Sequence, residues 1–153
     1  MFRILFCLLL TGCALKSSPY ITYSDKNHPL SDTSVFTVTD EHIVGSNLLA
    51  SIVAVDGKRL VPKGAGSGFW VRVLPGEHEF EILYQLMDNG LVSYKFTNIK
   101  VSVAMNPRRI YLAQPSITDR SLSVNVKELP ENSDYKMPLG LKGINYQEFS
   151  AEF

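Results

Sequence analysis

Along most of residues 34 to 129 apolar side chains recur at every second position, and no segment there carries a helical period. A period of two is the mark of pleated strands with one buried face. Val35-Phe36-Thr37-Val38-Thr39 opens the series. Leu48 to Val55 is apolar at almost every position, as expected of a strand covered on both faces. It ends at Asp56-Gly57, a hairpin signal, and Lys58-Arg59-Leu60-Val61 returns as the second arm. Phe69 to Val73 is the next strand, and Pro75-Gly76 makes a turn. In His78 to Tyr84, Phe80, Ile82 and Tyr84 share one face while Glu79 and Glu81 share the other.

The parity then changes. Val92, Tyr94 and Phe96 alternate properly, but the apolar set moves to Ile99, Val101 and Val103. A slip of one residue turns a regular strand inside out, so a bulge near Asn98 or a break into two strands is expected. Arg109 to Ala113, then Leu122, Val124 and Val126, complete seven or eight strands. The expected fold is all-β, an antiparallel β-sandwich or small barrel. Beyond Pro130 the pattern is irregular. Asn145-Tyr146-Gln147-Glu148 is compatible with capping a short C-terminal helix, with Tyr146, Phe149 and Phe153 near one face of it.

The chain has 153 residues, enough for one domain with a core of its own. Its 15 basic residues balance 15 acidic ones, which argues against a nucleic-acid footprint. The first dozen residues differ in kind. Arg3 precedes an apolar run from Ile4 to Leu10, and small residues follow. That is the layout of an export signal. The run is far shorter than the roughly 20 residues a membrane-spanning helix needs.

Leu10-Thr11-Gly12-Cys13 closes this segment, and it resembles the lipobox of bacterial lipoproteins. The resemblance covers the first 13 residues. It implies cleavage after Gly12, diacylation of the Cys13 sulfur and attachment to a membrane. Cys7 would leave with the signal, so the mature chain would hold no disulfide. Ala14 follows the cysteine in place of the aspartate of an inner-membrane retention signal. In a Gram-negative host this implies the periplasmic face of the outer membrane. The expected organisation is a cleaved signal at 1–12, a lipidated flexible tether at 13–33, a β-sandwich domain at 34–130 and an irregular segment packed on it at 131–153. Tyr20-Ile21-Thr22-Tyr23, inside the tether, has the composition of a short edge strand.

A second resemblance covers Ser51 to Tyr84. "SIVAVDGKRL" followed by "WVRVLPGEHEFEILY" is similar to the PEGA-type repeat of bacterial envelope proteins. Here Leu74-Pro75-Gly76-Glu77 stands where that motif has Pro-Glu-Gly-Ala. The resemblance implies a β-sandwich-like envelope module and names no catalytic residue.

Chemistry-bearing patterns are sparse. "KGAGSGFW" places Gly64, Gly66 and Gly68 around Ser67. Phe69 takes the sixth position of a dinucleotide fingerprint, and Ala65 and Phe69 replace the glycines of a nucleophile elbow. A loop between strands is the simpler reading. The three histidines, His28, His42 and His78, lack metal-binding spacing, so neither a metal nor a cofactor is expected.

Trp70 and Arg72 share the face opposite Phe69, Val71 and Val73. They would form a contact hot spot there, unless Trp70 covers a second core layer. The aromatic tail with Tyr146, Phe149 and Phe153 would either dock a partner or pack at home. Arg108-Arg109 after Pro107 fits a solvated strand end, or a phosphate or glycan contact. The expected function is a non-catalytic binding or assembly module, lipid-anchored in the cell envelope through Cys13, that contacts another envelope protein or a glycan. The alternatives are a hydrolase with a dispersed site around Ser67 or His78, or a carrier of an apolar ligand.

Overall fold

The computed structural model describes residues 17–25, 27–39, 48–61, 68–87, 94–119, 121–131, 133–140 and 142–153. Cys7, Cys13, His42, Gly64, Gly66 and Ser67 lie outside the described residues. In chain order the strands are β1 (Tyr20–Ile21), β2 (Ser34–Thr37), β3 (Leu48–Val55), β4 (Lys58–Arg59), β5 (Trp70–Val73) and β6 (Gly76–Met87). Then come β7 (Tyr94–Met105), β8 (Ile110–Thr118), β9 (Ser121–Glu128), β10 (Lys136–Leu139) and β11 (Gln147–Ser150). One sheet has the order β4-β3-β6-β7, a second β1-β5-β2-β8-β9, and β10 pairs with β11. The all-β expectation holds, with the two larger sheets packed as a sandwich and, among the described residues, no closed barrel.

The first sheet is antiparallel throughout. The second is mixed, because β1 runs parallel to β5 and β2 parallel to β8. The parallel β2–β8 pair joins strands far apart in sequence, with the whole first sheet lying between them along the chain.

The two sheets face each other across a core. Phe36 of β2 and Phe80 of β6 are both fully buried, and their rings stack 3.9 Å apart at 5°. Val71, Val73, Tyr111 and Ala113 join from one sheet, Ala50, Ile52 and Ile82 from the other. Each fully buried side chain of this size stabilises the fold by about 1.5–3 kcal/mol.

Two parity expectations are corrected. β7 pairs with β6 residue by residue from Gly76↔Met105 to Met87↔Tyr94, without a bulge or break. Phe96 simply points outward, 60% exposed, while Ile99, Val101 and Val103 face the core. The irregularity lies instead in β3, between Ile52 and Ala54. That bulge turns Val55 back to the core beside Phe80. The unbroken apolar run of β3 therefore records a change of parity, since Leu49 on the outer face is 43% exposed.

The C-terminal helix is also corrected. Lys136–Leu139 and Gln147–Ser150 pair as the β10–β11 hairpin, in which Met137 faces Phe149. Tyr146, Phe149 and Phe153 fit a helical face, but Phe149, Ala151 and Phe153 also alternate, and all three pack on one cluster. Gly140 has φ +88°, and a side chain there would collide with the Asn145 carbonyl.

This hairpin and its flanks form a third layer. They cover the outer face of the mixed sheet, building a second core from Val35, Trp70, Ile110, Leu129 and Met137. Part of the sequence-defined tether also lies on the domain. Tyr20 and Ile21 pair with Val71 and Arg72, Leu30–Asp32 form a 3₁₀ turn, and Thr33 is fully buried.

Candidate functional site

Trp70 and Arg72 share the outer face of β5, as alternation requires, but the third layer buries both. Trp70 is 0% exposed, so as a partner contact it is corrected to a core residue. Arg72 donates from Nη1 to Thr33 Oγ1 at 2.6 Å and from Nη2 to the Glu152 carbonyl at 2.7 Å. The Phe153 ring lies 5.2 Å from its guanidinium carbon. Burial pulls the Arg72 pKa down, opposed by the charges of Tyr23 and Glu152. Phe149 and Phe153 pack at home in the second core. Tyr146 stands apart near the hairpin turn, where its hydroxyl donates to Glu148 Oε1 at 2.9 Å.

The arginine pair divides. Arg109 reaches Glu128 at 3.3 Å and Glu131 at 3.6 Å. Arg108 is exposed at φ +56°.

At the end of the sandwich that holds the Asp56-Gly57 turn lies a recess of about 380 Å³ with a mixed polar and apolar lining. Tyr20, Tyr23, Asp56, Lys58, Arg59 and His78 contribute to it. His78 Nδ1 is 2.8 Å from Asp56 Oδ2, and its Nε2 is 2.8 Å from the Leu74 carbonyl. A histidine working as a base for a hydroxyl nucleophile needs a ring nitrogen directed at that hydroxyl. Here both nitrogens face acceptors, so His78 ties the β3–β4 turn to the β5–β6 turn. Partial burial pushes the Asp56 carboxyl up. The His78 hydrogen bond, the Glu79 amide and the charges of His78 and Lys58 outweigh it and hold Asp56 below its usual range. Among the described residues no cluster of His, Cys, Asp and Glu could hold a metal ion.

The opposite end of the sandwich holds an apolar cleft of about 410 Å³. It lies where β3 and β7 begin, where β6 and β8 end, and beside the start of β9. Leu48 comes from β3, and Tyr84 and Leu86 from β6. Phe96, Thr97 and Ile99 come from β7, Ile117 from β8 and Leu122 from β9. Cross-strand register explains the set, since Leu48 faces Leu86, Tyr84 faces Thr97, and Ile117 faces Leu122. β7 and β9 are the edge strands of their sheets, so the two sheets are not joined along this side. The inward residues Ile99, Val101 and Val103 on β7, and Leu122, Val124 and Val126 on β9, are accordingly only partly buried.

Two features set the cleft apart from ordinary core. Phe96 and Ile117 at its rim are 60% and 54% exposed. The Tyr84 hydroxyl is buried without a hydrogen-bond partner among the described residues. An unmade bond of this kind costs about 1–3 kcal/mol. Burial drives the Tyr84 pKa far up, so the group remains a neutral O–H donor. No lysine, arginine, aspartate or glutamate lines the cleft among the described residues. Sequence reasoning placed Tyr84 on the buried face but missed the cleft, because period two does not reveal how far two sheets separate. The one available signal was the exposed apolar surplus at Phe96 and Ile117.

No known protein family, no curated protein and no solved structure matches this chain.

Proposed function

We propose that this chain is a lipid-anchored protein of the cell envelope whose β-sandwich binds a ligand or partner without transforming it. The Leu10-Thr11-Gly12-Cys13 sequence supports the anchor. In a Gram-negative host the protein sits on the periplasmic face of the outer membrane. Two acyl chains on Cys13 hold a domain stably where one does not.

The observation that carries the binding role is the open apolar cleft between the sheets. Of the partners compatible with the sequence, a cleft with this lining favours an apolar group over a glycan. A sugar would bring hydroxyls that Leu48, Leu86, Ile99 and Leu122 cannot satisfy. The hydrolase alternative has less support, since the His78–Asp56 pair spends its second ring nitrogen on a backbone carbonyl.

The test is photo-crosslinking in intact cells, with a photoreactive residue replacing Ile117 at the rim. A second chain carries the same residue in place of Ile144, which is 79% exposed on the hairpin turn. A discrete adduct from position 117 and none from 144 is expected. Equal, unspecific labelling from both positions counts against the cleft as the binding site.

A further inference from the structure

The folded domain begins close to the cysteine of the lipobox-like sequence. β1 opens at Tyr20, and six residues, Ala14 to Pro19, separate it from Cys13. We infer that the side of the sandwich bearing β1 and β4 rests on the membrane surface. Lys58 and Arg59 meet lipid phosphates there, and Ile21 and Val61 enter the headgroup layer. This rests on the lipid anchor proposed above and specifies which surface the anchor turns to the membrane.

Reach is the first argument. From Cys13 to Tyr20 a fully extended chain spans at most about 25 Å. The far end of that link is fixed to the domain. Tyr20 and Ile21 pair with Val71 and Arg72, and both the amide and the hydroxyl of Thr22 donate to the Arg72 carbonyl, at 3.2 and 3.1 Å. A domain of this size has a radius of gyration of about 14 Å and is roughly 35 Å across. The link is therefore too short for β1 to stand off the membrane by the width of its own domain.

Position is the second. β1 is one edge of the mixed sheet and β4 one edge of the antiparallel sheet. Both line the recess of about 380 Å³, so the two edges lie side by side. β7 and β9 are the opposite edges. With β1 and β4 on the membrane, the apolar cleft beside β7 and β9 opens away from it, toward a partner.

Chemistry is the third. Lys58 and Arg59 are exposed at the recess, and neither makes an ion pair among the described residues. The carboxylate beside them is engaged, since Asp56 Oδ2 lies 2.8 Å from His78 and Oδ1 accepts from the Glu79 amide at 2.9 Å. Asp25, just beyond β1, accepts from the Asn27 amide. Each cation near an anionic lipid surface strengthens attachment by about fivefold. Ile21 and Val61 add apolar surface at 43% and 64% exposure. Tyr20 and Tyr23 also line the recess, and a phenol ring suits a boundary that is apolar on one side and wet on the other. Exposed apolar side chains among cations are what binding in the headgroup layer uses.

The experiment uses the full chain in cell membranes. A photoreactive residue replaces Val61, and in a second chain it replaces Asn125, which is exposed on β9 at the opposite edge. After irradiation the adducts are mapped by peptide mass spectrometry, and the mass of the residue at position 13 is read in the same digest. Position 61 should carry phospholipid, and position 125 should not. Lys58→Gln with Arg59→Gln should lower the phospholipid adducts at position 61 by about fivefold for each cation removed. Both side chains are exposed, so the substitutions leave the core intact. If Cys13 carries acyl groups but positions 61 and 125 label lipid equally, or position 61 captures protein, this inference is wrong while the anchor stands. Adducts at position 61 that are unchanged by the double substitution overturn the role given to the cations. If Cys13 is unmodified, the anchor fails, and this inference fails with it.

Discussion

The Arg72 guanidinium lies 5.2 Å from the centre of the Phe153 ring, under a roof that strand alternation alone does not provide. Arg72 sits on the outer face of β5, where it would meet water in a two-layer sandwich. The third layer encloses it, and Thr33 and Glu152 take its hydrogen bonds. One cation thus joins the segment before β2, an inner strand, and the residues after β11. Arg72→Lys keeps the charge but cannot span both acceptors with a planar fork. It should cost about 1–3 kcal/mol in urea unfolding. An unchanged midpoint would show that this junction contributes nothing.

Trp70 gives a sharper test of the third layer. It is wholly buried between the mixed sheet and the C-terminal hairpin. Trp70→Ala should cost about 3–5 kcal/mol, as truncations of large core side chains do. A residue kept for partner contact would leave the stability of the isolated chain nearly unchanged, so a loss under about 1 kcal/mol counts against the packing described.

What the sequence discloses follows from which interactions are local. Alternation in Phe80-Ile82-Tyr84 and in Leu122-Val124-Val126 is a property of each strand, and it survives intact in β6 and β9. The Asp56-Gly57 hairpin was equally legible, and both residues have positive φ, at 50° and 71°. The β3 bulge was not, because a parity change inside an all-apolar run leaves no polar residue to mark it. Phe96 misled for the opposite reason. It is an aromatic on an outer face, and counting it with the inward set is what makes the parity shift at Ile99 call for a bulge or a break. The tail was ambiguous because residues 146, 149 and 153 satisfy a helical period, while 149, 151 and 153 satisfy an extended one. Pairing with β10 decided between them, and pairing is not local.

The turn-to-turn link through His78 makes a prediction about acid. Asp56 is held below its ordinary 3.8 chiefly by His78, against the opposing effect of its own burial. A carboxylate with a lowered folded value stabilises the fold fully above its unfolded value. That stabilisation is lost as the pH falls through the folded value. Asp56→Asn should therefore flatten the acid limb of the stability profile below about pH 4. Superimposable profiles for the two chains, from thermal melts across that range, would remove the link from the account.

Tyr84 predicts the opposite limb. Burial raises its folded value above the ordinary 10.0, so its stabilising effect is present below pH 10 and lost as the pH rises further. At neutral pH, Tyr84→Phe should leave the unliganded chain as stable as the wild type or slightly more so, since it removes a buried hydroxyl without a partner. The same substitution should weaken the alkaline loss. A clear destabilisation at neutral pH would mean that the hydroxyl is satisfied.

The central claim is that this sandwich is held at a membrane by lipid on Cys13, and the most direct measurement is the intact mass of the chain extracted from cell membranes. The account predicts a polypeptide beginning at Cys13, heavier than its sequence by the attached acyl groups, and its disappearance from the membrane fraction in processed form when Cys13→Ser is introduced. A Cys13→Ser chain still cleaved after Gly12 and still membrane-bound, or a wild-type chain of unmodified mass, would contradict it.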